Sequence, residues 1–303
     1  MADSGSLRVI FGSLAANLGI ALTKGVAAFF TGSGSMLGEA IHSAADCMNQ
    51  VLLLIGHRQA EKPPTDAHPM GQGRAAYFWS FLVALMLFLG GGIFSIHEGM
   101  ERLRTPEPLE HVWIGLVVLL LGLVMETAAL VQASRALNAK RGDVPFFAYL
   151  RVTTDADLVV LFAENSADVL GLLVALAALG LAKLTGDTRW DAYGSIGIGA
   201  ILTLVSWFLA REVKSLLIGE RADPLIEEVF REEVAADRER LGTVLRIITI
   251  QQGPAQVMLA AKLDVPPALA AGVLVAAINE LEDRVRARRA DVRWQFIEPD
   301  TKD

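Results

Sequence analysis

The sequence predicts a membrane all-α body of six transmembrane helices followed by a C-terminal α+β cytosolic domain. Three observations predict it. Six apolar stretches are each long enough to cross a bilayer, which takes about 20 residues. Charge is sparse along them and dense behind them: residues 1–220 hold 34 of the 61 charged side chains, and residues 221–303 hold 27. The tail alone carries strand-like alternation of apolar and polar residues. The boundary falls at 215/216, giving a six-span domain over 1–215 and a small soluble domain over 216–303.

The spans run approximately over 8–30, 36–57, 76–98, 112–134, 157–183 and 191–212. Thr31 to Ser35 is a Gly/Ser turn, so the first two spans form an antiparallel hairpin. Arg58 to Arg74 is a loop containing Pro and Gly. Glu98 to His111 carries Pro106 and Pro108. Arg135 to Asp155 is longer and basic at its start, and Lys183 to Trp190 is a short polar turn. With the N-terminus inside, ten Lys and Arg residues, Arg8, Arg74 and Arg151 among them, collect on the inner side against four on the outer. The chain therefore reads as a multi-pass membrane protein with both termini cytoplasmic, in the cell membrane if the source is bacterial. Met1 to Ser6, polar and acidic, is not a secretory signal start.

In the tail, Asp223 to Leu241 carries a helical stripe of Leu225, Ile226, Val229, Phe230 and Val234. Thr243 to Ile250 and Gln256 to Leu263 are β-like runs around Gly253-Pro254, the mark of a hairpin. Pro266 and Pro267 precede an Ala-rich helix ending in Arg284, Arg286, Arg288 and Arg289, and basic residues suit a helix C-terminus. That Arg run reads as a solvated face, with contact to anionic lipid headgroups as the alternative. Val292 to Ile297 alternates as a strand. The expected order is α-β-β-α-β.

Composition excludes several classes. Cys47 is the single cysteine, so no disulfide scaffold exists. A net charge of −7 without a basic block argues against a nucleic-acid partner. No His-Glu-x-x-His pattern is present.

Ionisable residues inside the spans carry the functional signal, because each is costly in hydrocarbon and such groups face a cavity. They are Lys24 in span 1, Glu39, His42 and Asp46 in span 2, Glu126 in span 4, and Glu164 and Asp168 in span 5. His42 and Asp46 are spaced i, i+4, as are Glu164 and Asp168, so each pair shares a helix face. At 1.5 Å per residue, Asp46 lies about 15 Å from the outer end of its span and Asp168 about 16 Å from the inner end of its own. Packing the two spans together brings one imidazole and three carboxylates to one midplane point. Such N/O coordination suits Zn²⁺, and Mn²⁺, Fe²⁺ and Co²⁺ accept similar ligands. Taken singly, each residue also has a plain reading as a hydrogen-bonded group between helices.

Without a cation, three carboxylates would confront each other, so either a metal or protons must neutralise them. Metal binding needs deprotonated ligands and releases protons. A metal/proton exchanger follows, with His42 as the proton carrier. The cargo is Zn²⁺ or another divalent metal together with H⁺, and no prosthetic group is called for. A membrane-embedded metallohydrolase is the rival from another class, but four ligands spent on the ion leave no general base, so the chain reads as no enzyme. A non-transporting metal sensor is the third reading.

Glu126 lies about 21 Å from the outer end of span 4, at a depth similar to Glu164. It is a proton relay or gate, or else a partner to a neighbouring helix. Lys24 snorkels or pairs with an acid. Cys47 is turned about 100° from Asp46 and reads as an inert buried thiol. Asn17, Asn49 and Gln50 read as helix-packing groups, with Asn49 placed to support Asp46.

The run Gly34-Ser35-Met36-Leu37-Gly38-Glu39-Ala40-Ile41-His42-Ser43-Ala44-Ala45-Asp46 resembles the second span of the cation diffusion facilitator family. His68-Pro69-Met70-Gly71-Gln72-Gly73-Arg74 resembles the family's loop before the third span, and Phe296-Ile297-Glu298-Pro299 its last strand. The resemblance covers nearly the whole chain. It implies proton-coupled export of divalent metal, chiefly Zn²⁺, by a homodimer in the lipid bilayer, with a metallochaperone-like C-terminal domain. The family's central site falls on His42, Asp46, Glu164 and Asp168. Glu164 departs from the His of zinc members and the Asp of manganese or iron members. With Glu39 and Asn49-Gln50, it looks like the branch related to the mitochondrial zinc transporter of animals. A carboxylate there hardens the site. The family's loop site is reduced here to Asp66 and His68, with Gln72 at the second His position. A weak loop metal site is one reading, and a His68 that merely orders its turn is the preferred one. No His follows His111, so the C-terminal domain reads as a metal-free dimerising module.

Overall fold

The computed structural model describes residues 4–106, 108–152 and 156–301, with the backbone alone over 4–16, 151–152 and 156–157. The side chains of Arg8 and Arg151, the loop end at Asp155 and the first residues of the Met1–Ser6 start lie outside the described residues. The described residues group into two compact units. One draws on Met1–Gly56, Trp79–Tyr149 and Asp157–Val213, the other on His57–Phe78, Leu150–Ala156 and Lys214–Asp303.

The first unit is built from long helices. They are α1 (Ser4–Thr31), α2 (Gly34–Ala60), a helix Ala75–Arg104 made of α3 (Ala75–Met86), a π-helical segment (Leu87–Ile93) and α4 (Phe94–Arg104), then α5 (Val112–Lys140), α7 (Ala156–Thr185) and α8 (Arg189–Ile218). Four of these, Ala75–Arg104, α5, α7 over Leu158–Thr185 and α8, are long and apolar enough to cross a membrane by length and composition. In α2, Glu39, His42 and Asp46 interrupt the apolar run. Several helices continue past the apolar stretch that predicts them, α2 to Ala60 and α5 to Lys140. Backbone hydrogen bonding does not stop where hydrophobicity does. The loop expected over 135–155 also contains a short helix, α6 (Phe146–Val152).

The turn between α1 and α2 uses Gly32 at φ 63°, a left-handed position that suits glycine. The π segment carries Gly90-Gly91-Gly92. A Cβ on Gly92 would lie 2.6 Å from Thr203 Oγ1 of α8. Further along, a Cβ on Gly99 would meet Ala192 O and Ile196 Cγ1 at 2.7 Å. Missing side chains thus let the Ala75–Arg104 helix and α8 touch backbone to backbone, as small residues do between membrane helices. The core of this unit gathers Met36, Leu119, Leu172, Leu179, Ile198 and Leu202. By contrast α5 turns Trp113, Val117, Leu121 and Val124 outward, which bilayer rather than water tolerates.

The second unit holds the C-terminal elements. They are α9 (Pro224–Ala236), α10 (Arg238–Leu241), β1 (Thr243–Gly253), β2 (Gln256–Asp264), α11 (Ala271–Arg288) and β3 (Val292–Asp300). The sheet order is β1-β2-β3, with β1 antiparallel and β3 parallel to β2. The four-residue α10 has no counterpart in the expected order, because one turn is too short to leave a periodic signal. Ile226 and Phe230 of α9 and Leu281 and Val285 of α11 pack with Leu259 and Leu263 of β2. The Arg run is partly solvated, with Arg286 and Arg288 about half exposed, and three of its members also make ion pairs to the start and body of α9. Arg284 and Arg288 both donate to Glu233 of α9 at 2.9 Å, and Arg289 donates to Asp223 at 2.9 Å. These bonds, Arg288's first, hold the Glu233 carboxyl below the usual carboxylate range.

In the same unit the loop after α2 packs on the β1–β2 turn. Gly73 lies against Gly253 with no room for a Cβ, and Gln256 Nε2 donates to Ala60 O at 3.3 Å.

Candidate metal site

Helices α2 and α7 build the site, for a local reason. Along α2 the i, i+4 spacing stacks His42 over Asp46, and along α7 it stacks Asp168 over Glu164. His42 is fully buried. Its Nε2 lies 2.8 Å from Asp168 Oδ1, and its Nδ1 lies 3.6 Å from Asp46 Oδ1. One ligand atom from each of the three residues falls within 4.8 Å of the other two.

The contacts are close but poorly aimed. Although His42 Nε2 and Asp168 Oδ1 are at hydrogen-bond distance, both ring nitrogens, Asp46 Oδ1 and Asp168 Oδ1 are buried with no hydrogen-bond partner. Buried polar atoms are otherwise nearly always paired. Four unpaired atoms around one point form an N/O set that could hold a cation. Among the described residues this is the one group of three or more His, Cys, Asp or Glu side chains that converges in this way.

Glu164 stands apart from the three. Its Oε1 accepts from Asn49 Nδ2 at 3.0 Å. Asn49 therefore supports Glu164 rather than Asp46. A cavity of about 80 Å³ joins the groups: Asp46 and Gln50 of α2, Glu164 and Asp168 of α7, Asn17 of α1 and Glu126 of α5 line it. Asn17 and Gln50, expected only as packing groups, thus face the same space as Asp46, Glu164 and Asp168. Cys47 is a free buried thiol.

Lys24 does not snorkel. It is 1% exposed, and its Nζ lies 3.2 Å from Glu39 Oε2 and 2.8 Å from Ser43 Oγ. Asp66 and His68 are exposed. Thr65 and His68 close a tight turn through reciprocal backbone bonds of 3.1 and 3.0 Å, and Gln72 accepts from Gln59 at 3.0 Å.

Asp191 is a residue that sequence reasoning misses. It is buried in the first turn of α8 and receives Ser33 Oγ and Gly34 N, both at 2.6 Å, together with Ser35 Oγ. Its carboxylate caps the start of α2, the helix that carries His42 and Asp46. An acid in a helix's first turn was the only sequence signal, and it does not name a partner 157 residues away.

Fold and site define the class first: a helical membrane protein with a small C-terminal sheet domain and a polar cluster between its long helices. The chain belongs to the cation efflux family, also called the cation diffusion facilitators, whose transmembrane-domain model matches residues 10–218. Among its relatives is the human proton-coupled zinc antiporter SLC30A9, mitochondrial, 34% identical over 210 residues, which is 69% of this chain and 37% of that protein. Metal tolerance protein C4 of Arabidopsis thaliana is 30% identical over 190 residues, 62% of this chain and 42% of the plant protein. The cation-efflux pump FieF of Klebsiella pneumoniae is 31% identical over 204 residues, 67% of this chain and 62% of the pump. The matched region is thus under half the length of the human and plant relatives.

Proposed function

We propose that the protein exports a divalent cation, Zn²⁺ first, from the cytoplasm by alternating access, with protons moving the other way. The ligands in this reading are His42, Asp46, Glu164 and Asp168. The observation that carries it is the convergence of His42, Asp46 and Asp168 within 4.8 Å through atoms that lack other partners. Glu164 completes the site by exchanging its bond from Asn49 for the ion. It sits one helical turn from Asp168 and lines the same cavity.

Charge balance supports the coupling. Carboxylates this close must be neutralised by a metal or by protons, so loading the ion expels protons. The zinc and proton words in the human relative's name support the same choice. The three carboxylates keep Mn²⁺, Fe²⁺ and Co²⁺ as competing cargo. The cavity is lined from the middle of α2 toward its C-terminal end, Ser43 to Leu53, and from the N-terminal half of α7. With both termini cytoplasmic, that is the cytoplasmic side, and Glu126 stands on the path as proton relay or gate. The same reading has six membrane spans over 1–215, a C-terminal domain over 216–303 of α-β-β-α-β type, and a homodimer in the bilayer.

Zn²⁺ uptake into proteoliposomes with an acidic lumen tests this. Uptake collapses when the pH gradient is removed, and Asp168→Ala lowers Zn²⁺ affinity by at least about 100-fold. Gradient-independent uptake refutes the coupling. Unchanged affinity in Asp168→Ala refutes the site, and binding without any uptake leaves a sensor in place of a transporter.

A further inference from the structure

Two layers of ligands stack along the α2–α7 contact: Asp46 with Glu164, and His42 with Asp168. A third layer follows on the side away from the cavity. Glu39 precedes His42 by three residues and Gly171 follows Asp168 by three, each about 4.5 Å along its helix. Glu39 is fully buried. Its Oε2 meets Lys24 Nζ at 3.2 Å, while its Oε1 has no hydrogen-bond partner. That free oxygen points at Gly171, where a Cβ would collide with it.

This is an odd design for an ion pair that only holds helices together. A buried pair whose remaining lone pairs go unsatisfied is no better for stability than two apolar side chains. An unpaired carboxylate oxygen in a low-dielectric interior is costly. The absence of a side chain at Gly171 is what lets that oxygen lie against α7 with no donor facing it. Lys24, itself 1% exposed, places a positive charge on the route an outgoing cation would take.

We propose that Glu39 is a further cation site, the next station for the divalent ion after the His42–Asp46–Asp168 cluster, with Lys24 as a built-in counter-cation. While the ion rests on the cluster, Lys24 neutralises Glu39 and blocks the way. When the ion moves outward, Glu39 releases Lys24 and takes the ion beside Gly171. The inference rests on the transport reading above and adds to it the ion's exit path.

The test compares wild type, Glu39→Gln, Lys24→Met and the double variant as full-length protein. Zn²⁺ binding is measured by calorimetry in detergent, and Zn²⁺ uptake in proteoliposomes. Glu39→Gln and the double variant are expected to bind Zn²⁺ within about threefold of wild type and to lose at least about tenfold in uptake rate. The double variant removes both charges together and leaves no unpaired buried charge, so it carries the test if either single variant misfolds. Uptake restored in the double variant overturns the proposal, because a purely structural pair can be replaced by a neutral one. Uptake within about threefold of wild type in Glu39→Gln, or Zn²⁺ binding abolished in that variant, overturns it as well. No uptake by wild type refutes the transport reading itself, and this proposal with it.

Discussion

Replacing Asp191 by Asn is expected to loosen the start of α2, the helix that carries His42 and Asp46. The carboxylate takes Ser33 Oγ and Gly34 N at 2.6 Å, Ser35 N at 3.4 Å, and Ser35 Oγ. It also lies in the first turn of α8, so the positive ends of two helix dipoles converge on it. Asn keeps one acceptor and turns an amide donor toward groups that are themselves donors. Hydrogen bonds to a charged group contribute about 1.5–3 kcal/mol each. Losing one such bond and weakening the dipole interaction costs about 3 kcal/mol of local stability. At 1.36 kcal/mol per decade, that is roughly 150-fold. Hydrogen exchange by mass spectrometry, in lipid nanodiscs, reads local opening directly. Amides at the start of α2 should exchange roughly 150-fold faster, while those in the C-terminal half of α2 keep their protection. A change below about threefold at the start of α2 would refute the reasoning, since such a value is no more than a cap exchanged for an equivalent one.

Two further outcomes concern packing and pH. Gly99→Ala places a Cβ 2.7 Å from Ala192 O and Ile196 Cγ1. Overpacking of that kind costs about 1–3 kcal/mol, so thermal unfolding in detergent should begin several degrees lower, and an unchanged midpoint contradicts the close α4–α8 approach. In the C-terminal unit, Glu233 is held below its ordinary value of 4.5 by Arg288 and Arg284. A depressed carboxylate stabilises the fold above its unfolded pKa, and that contribution fades as pH falls through the folded value. Glu233→Gln should therefore lose about 1 kcal/mol at neutral pH and converge with wild type in acid, as followed by unfolding of the full chain across pH. A variant equally less stable at every pH rules out the ion-pair account.

The parts of the site that were legible are those fixed by local geometry. Helical spacing alone places His42 with Asp46 and Glu164 with Asp168, whatever the helices pack against. It fails where partners are distant. Lys24 had two readings until α1 and α2 were seen to bring it to Glu39. Asn49, one turn past Asp46, faces Glu164 instead. The Arg run at the end of α11 reads as a solvated face, and the ion pairs of Arg284, Arg288 and Arg289 were not legible because Glu233 and Asp223 lie far back in the chain. The short α6 and α10 left no mark, as a helix of one or two turns is set by its surroundings more than by its own periodicity.

The sequence by itself determined the long apolar helices, the charged tail with its strands, and the four residues on which a midplane cation site was drawn. Each follows from hydrophobic length, side-chain period or the cost of intramembrane charge, properties that a segment carries wherever it goes. Only the tertiary structure decided which of those residues meet. It gathered His42, Asp46 and Asp168, left Glu164 on Asn49, set Glu39 against Gly171, and fastened the start of α2 to Asp191. Those contacts join segments far apart in the chain, and their geometry depends on which glycines let two helices approach. That information lies in the packing of whole helices and in no local stretch of sequence.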